Sequence, residues 1–123
     1  MAKRPLVSIV DDDDSVREAL PDLLSELGFS ARSFSDAEQF LTSGCVDNTD
    51  CLLLDLTMPG MTGPDLLSEL TRRGRQIPVI FITANEDPSV RQRLLHLGAV
   101  DCLIKPFSDL ALRDALARAV LNS

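Results

Sequence analysis

Residues 52–63 read Leu-Leu-Leu-Asp-Leu-Thr-Met-Pro-Gly-Met-Thr-Gly, an apolar run that delivers one carboxylate, Asp55, and then breaks into a loop carrying Pro59, Gly60 and Gly63. Three leucines ahead of a lone aspartate predict a fully buried strand, Cys51 to Leu54, whose C-terminal end presents Asp55. In an open parallel sheet that end is where ligands and chemistry sit. The bland alternative is an aspartate that merely starts a turn, and for an isolated Asp-x-x-x-Pro-Gly it would be preferred. The remainder of the chain decides against it.

Working outward, Leu6 to Val10 predicts a short strand running into Asp11, Asp12, Asp13 and Asp14. Adjacent carboxylates repel unless solvent or a cation relieves them, and solvent alone suffices for Asp14. Ser15 and Glu18 carry a capping-box spacing, and Val16, Leu20, Leu23, Leu24 and Leu27 recur at helical intervals, predicting a first helix over 15–27. Pro21 inside it implies a kink or a late regular start. Phe29 to Phe34 predicts a partly exposed edge strand, and Ser35 with Glu38 a second capping box before a short helix containing Phe40 and Leu41. Gly44 to Asp50 carries turn residues. Thr62 at an N-cap, Pro64 in the first turn and Asp65 at N3 predict a third helix that Gly74 stops.

Arg72, Arg73 and Arg75 cluster at that stop, where solvent and the helix dipole favour cations without any anion site. Pro78 to Ile82 predicts another buried strand followed by Thr83. Residues 88–97 predict a fourth helix with Val90, Leu94 and Leu97 inward, Gln92 and His96 outward, and Gly98 after its end. His96 is the sole histidine and reads as a surface residue. Cys102 to Ile104 predicts a fifth strand ending in Lys105-Pro106-Phe107, and Ser108 caps a fifth helix with Leu112, Ala115, Leu116 and Ala119 facing in. Five strands alternating with five helices predict an α/β domain whose parallel sheet is covered on both faces.

At 123 residues, 45% hydrophobic and 25% charged, the sequence is expected to form one domain over 1–123. A formal charge of −7 argues against direct contact with nucleic acid, which needs a basic face. The opening MAKRPLVSIV is too short in apolar residues for a signal peptide and no segment approaches membrane-spanning length, so a cytoplasmic protein with no membrane role is expected. Cys45, Cys51 and Cys102 show no C-x-x-C spacing and read as reduced and mostly structural. No G-x-G-x-x-G or P-loop occurs, which disfavours a dinucleotide or nucleoside-triphosphate binder.

The predicted strand ends place Asp11, Asp12, Asp55, Thr83 and Lys105 at the same edge of the sheet. Two carboxylates ~4 Å apart repel by about 4 kcal/mol at an effective dielectric near 20, so three in one pocket call for a divalent cation, and hard oxygen ligands suit Mg²⁺. Lys105 supplies a compact positive charge and Thr83 a hydroxyl, both suited to phosphoryl oxygens. The set composes a phosphoryl-transfer site with Asp55 as nucleophile.

With VDDD, DLTMPGMTG, IT and KPF in this order and at these spacings, the chain resembles the receiver domain of two-component response regulators over essentially its whole length. The resemblance implies a doubly wound, flavodoxin-like five-stranded parallel sheet in the order 2-1-3-4-5. It implies that Asp55 accepts a phosphoryl group from a sensor kinase's histidine, that Asp12, Asp55 and the backbone carbonyl of Thr57 bind Mg²⁺ with Asp11 helping through water, and that Thr83 and Lys105 contact the phosphoryl group. It further implies a cis Lys105-Pro106 peptide that aims the lysine, a lifetime of the phosphoryl group tuned at Thr57 and Asn85, and switching with homodimerisation through the fourth helix, fifth strand and fifth helix. Such a chain is a phosphoacceptor regulator rather than an enzyme acting on a separate substrate, and its output would be transcriptional through a C-terminal DNA-binding domain outside this chain. One departure stands out: Cys102 occupies the position three residues before the lysine that is usually aromatic in the family, so ring rotation cannot link Thr83 to the surface. The alternatives are a stand-alone receiver acting by protein contact, and a phosphatase of the haloacid dehalogenase kind. The latter carries Asp-x-Asp, where this sequence has Asp55-Leu56-Thr57 and no cap insertion.

Overall fold

Each apolar run in the computed structural model, which describes residues 4–121, becomes a short strand paired in parallel with its neighbours. The elements are β1 (Leu6–Val10), α1 (Asp14–Glu26), β2 (Ser30–Phe34), α2 (Ala37–Thr42), a 3-10 turn (Val46–Asn48), β3 (Cys51–Asp55), α3 (Gly63–Arg72), β4 (Val79–Thr83), α4 (Pro88–His96), β5 (Asp101–Ile104) and α5 (Asp109–Leu121). The sheet order is β2-β1-β3-β4-β5, the doubly wound arrangement that the family resemblance implied. The first three residues of the opening MAKRPLVSIV stretch lie outside the described residues, as do the last two of the 1–123 span. Among the described residues no helix is long and apolar enough to cross a membrane.

β3 and β4 are buried at every position, as expected of central strands with both faces covered, whereas the edge strand β2 is half open. Alternation along the strands divides the core in two. Val7, Ile9, Leu53, Ile80 and Ile82 pack under α1 and α5 with Leu24 and Leu116. Val10, Leu52, Leu54 and Phe81 pack on the other face with Phe40, Leu66, Leu70 and Leu94 from α2, α3 and α4. Leu112, Ala115, Leu116 and Ala119 are all buried, so the predicted inner face of α5 holds.

The helix starts show where the spacing rules misplaced a cap. The α1 cap is Asp13, whose carboxylate accepts from the Ser15 amide at 2.9 Å, in place of the expected Ser15–Glu18 box. An ionised acceptor lying just ahead of the first turn outcompetes a hydroxyl. The helix starts at Asp14 and continues through Pro21, so it has no late start. At α2 the cap is also displaced, here by one residue: Asp36 accepts from the Gln39 amide at 2.8 Å, while the Ser35 amide and hydroxyl donate to Gln39 Oε1. The α3 capping box is as predicted, the Thr62 hydroxyl accepting from the Asp65 amide and the Asp65 carboxylate from the Thr62 amide. Ser108 caps α5, accepting from the Ala111 amide at 3.0 Å.

Leu97 corrects the predicted inner stripe of α4. Val90 and Leu94 turn inward, but Leu97 is the C-cap and is 50% exposed. Gly98, at φ 106°, turns the chain back after the last helical turn, and Ala99 fills the inside instead. The three cysteines are free and buried. Burial, with the Asp50 charge adding, pushes the Cys51 thiol up to about 12, as suits an inert core residue.

Candidate functional site

The register brings the C-terminal strand ends level: Val10 pairs with Leu54, Asp55 with Ile82, and Thr83 with Ile104. The residue after each strand therefore emerges on one rim. Asp11 follows β1, Asp55 closes β3, Thr83 closes β4 and Lys105 follows β5, with the Lys105 amide donating to the Thr83 carbonyl at 2.8 Å. Just beyond Asp55, α3 starts hard against the end of β3, which only a glycine at position 63 allows. A Cβ on Gly63 would lie 2.5 Å from the Asp55 carbonyl and 2.8 Å from the Phe81 ring.

Asp11, Asp12 and Asp55 each offer a ligand oxygen, all within 4.8 Å of one another, with Asp11 and Asp55 buried and Asp12 exposed. Among the described residues this is the one group of three or more acidic, histidine or cysteine side chains so placed. Lys105 Nζ donates to Asp11 Oδ2 at 3.0 Å and lies 4.0 Å from Asp55 Oδ1. Asp55 is pushed up to about 7, first by burial and then by the neighbouring Asp11 charge, which together outweigh Lys105. Burial pulls Lys105 down, but the bond and charge of Asp11, with Asp55 behind it, raise it overall. One ammonium against three carboxylates leaves a surplus of negative charge, and an all-oxygen donor set of this kind fits a hard divalent cation.

Thr83 is buried on the same rim, its Oγ1 accepting from the Asn85 amide at 3.0 Å. Thr57 stands exposed in the loop two residues beyond Asp55, and the Lys105-Pro106 peptide is cis. The structure thus brings Asp11, Asp12, Asp55 and Lys105 together, with Thr83 on the adjoining strand end.

A comparison with families of known domains matches residues 7–117 to the response regulator receiver domain. The chain belongs to the response regulator receiver family. It is 40% identical to nodulation protein W of Bradyrhizobium diazoefficiens over 94% of this chain and 51% of that protein. It is 40% identical to the transcriptional regulatory protein FixJ of Azorhizobium caulinodans over 95% of this chain and 56% of that one. Among solved structures, response regulator StyR superimposes with a TM-score of 0.88 at 41% identity, covering 98% of this chain and 61% of that one. This receiver spans about half the length of the curated relatives it matches. Receivers are signalling domains rather than metabolic enzymes, and this one has transcriptional regulators among its relatives.

Two ionic groupings in this receiver escaped the sequence reading. Arg17 on α1 donates from Nη1 to the Asp11 carbonyl at 2.7 Å and pairs with Asp14. Asp101, buried at the start of β5, is held by Arg91 of α4 at 2.8 Å and by Arg118 of α5, and Arg91 also donates to the Cys102 carbonyl at 3.0 Å. Their partners lie in different elements, so no short spacing announced the Asp101 group. Arg17 and Asp14 are three apart on one helix, but the bond to the Asp11 carbonyl has no sequence signal.

Proposed function

We propose that this receiver accepts a phosphoryl group on Asp55 from a phosphohistidine of a sensor kinase, in a Mg²⁺-dependent reaction. The observation that carries the reading is the cluster of Asp11, Asp12 and Asp55 oxygens within 4.8 Å beside the Lys105 ammonium. An Asp55 carboxylate oxygen attacks phosphorus, the P–O bond forms as the P–N bond breaks, and the leaving imidazole takes a proton from solvent. Asp12, Asp55 and the Thr57 carbonyl would hold the metal, with Asp11 acting through water. Mg²⁺ bound there would neutralise the carboxylates and offset charge on the phosphoryl oxygens. Lys105 and the Thr83 hydroxyl contact those oxygens, and Thr57 and Asn85 govern how readily water reaches them.

Residues 1–123 act as one domain. Its output face is α4, β5 and α5, where phosphorylation favours a homodimer, and with FixJ among the relatives a transcriptional output through a segment beyond this chain is the reading we favour. With a formal charge of −7 the domain itself does not contact nucleic acid in this reading, and it works in the cytoplasm. Mg²⁺ titration followed by calorimetry tests the site: the wild type should bind, and Asp12→Ala should lose at least tenfold in affinity. Equal affinities would remove Asp12 as a ligand.

A further inference from the structure

Asp12 is exposed, yet it must face Asp55 across the rim for the two to share a cation. What precedes it is fixed on every side. The Asp11 amide donates to the Phe34 carbonyl at 3.1 Å, Asp11 Oδ1 accepts from the Asp13 amide at 2.9 Å, and Asp11 Oδ2 accepts from Lys105. The remaining group of the Asp11 backbone is its carbonyl, half of the peptide plane that leads into Asp12. That carbonyl accepts from Arg17 Nη1 at 2.7 Å, and the Arg17 side chain is only 21% exposed. Its second nitrogen is held by Asp14, which keeps the guanidinium fork in place from the helix side.

We infer that Arg17 is a positioning residue for the acidic loop: by fixing the Asp11–Asp12 peptide plane it holds the Asp12 carboxylate in the direction of Asp55. The inference rests on the metal-site reading above and adds a residue to it. Two effects of removing Arg17 have opposite signs. As a charge, Arg17 repels a divalent cation, so its loss should tighten Mg²⁺ binding. As an anchor it orders a ligand, and loss of an outer partner of this kind typically weakens metal binding by 10- to 100-fold. The guanidinium charge is already matched by Asp14, which leaves the anchoring effect dominant.

The test compares wild type, Arg17→Gln and Asp14→Asn by Mg²⁺ calorimetry, together with hydrogen exchange at the Asp13 amide in metal-free protein and thermal melts to confirm folding. Arg17→Gln should weaken Mg²⁺ binding about tenfold or more and speed exchange at Asp13. Asp14→Asn, which unmasks the Arg17 charge but keeps the bond to the carbonyl, should weaken Mg²⁺ binding less than Arg17→Gln does and leave exchange at Asp13 unchanged. Unchanged or tighter Mg²⁺ binding in folded Arg17→Gln, with Asp13 exchange unchanged, would overturn the inference. If the wild type itself binds no Mg²⁺, the metal reading fails, and exchange at Asp13 alone decides whether Arg17 orders the loop.

Discussion

Asp55 gives up its proton near pH 4 in the unfolded chain and near pH 7 in the folded, metal-free one. Between these values the folded state binds a proton that the unfolded state has lost, so this group makes stability fall as pH rises from about 4 to about 7. Asp55→Asn removes that dependence. Because Asp12 opens one side of the cluster to water, the gain at pH 8 should be about 1–2 kcal/mol after screening, several degrees in melting temperature, shrinking toward zero at pH 4. A metal-free melt series across pH that shows equal gains at both ends would contradict this origin. Gly63 makes the complementary point about space. With 2.5 Å to the Asp55 carbonyl, Gly63→Ala should cost about 1–3 kcal/mol in a denaturant melt, since neither the strand backbone nor the Phe81 ring beside it can yield without moving others. The need for glycine there was not legible, because the position has an ordinary helical backbone and only the tertiary approach of α3 to β3 forbids a side chain.

Among the elements, the strands were the most legible part of the sequence, since Cys51–Asp55 and Val79–Thr83 are apolar runs that only a doubly covered sheet accommodates. Helix starts were less so. Asp13 and Asp36 displaced the expected serine caps because several polar residues in a row satisfy the same spacing rule, and which one caps depends on where the preceding strand releases the chain. Asp101 was outside the reach of any local pattern. It ties α4, β5 and α5 through Arg91 and Arg118, and its removal leaves two half-exposed guanidinium groups that water can still solvate. Asp101→Ala should therefore cost about 1–3 kcal/mol, less than the loss of one partner from a fully buried pair, as read from the urea midpoint. A change below about 0.5 kcal/mol would show that the cluster contributes nothing to holding the three elements together.

At the scale of the whole molecule, the proposed function requires an event at Asp55 to reach the α4–β5–α5 face. Cys102 is buried among Phe81, Leu94 and Ala99, and a thiol cannot vacate the space that an aromatic ring would. In the proposed function, coupling would then depend on the backbone after Thr83 and on α4, which Arg91 fastens to the Cys102 carbonyl. With beryllofluoride as the phosphoryl mimic, sedimentation should show a dimer, and Cys102→Phe should change its fraction at saturation; equal fractions in two folded proteins would exclude this position from switching. The proposed function descends from Asp55 as phosphoacceptor, and intact-mass analysis after incubation with acetyl phosphate tests that most directly. The wild type with Mg²⁺ should gain one phosphoryl group per chain, and neither chelated wild type nor Asp55→Asn should gain it at a comparable rate. A wild type that stays unmodified, or an Asp55→Asn chain modified as fast as wild type, would contradict that role for Asp55.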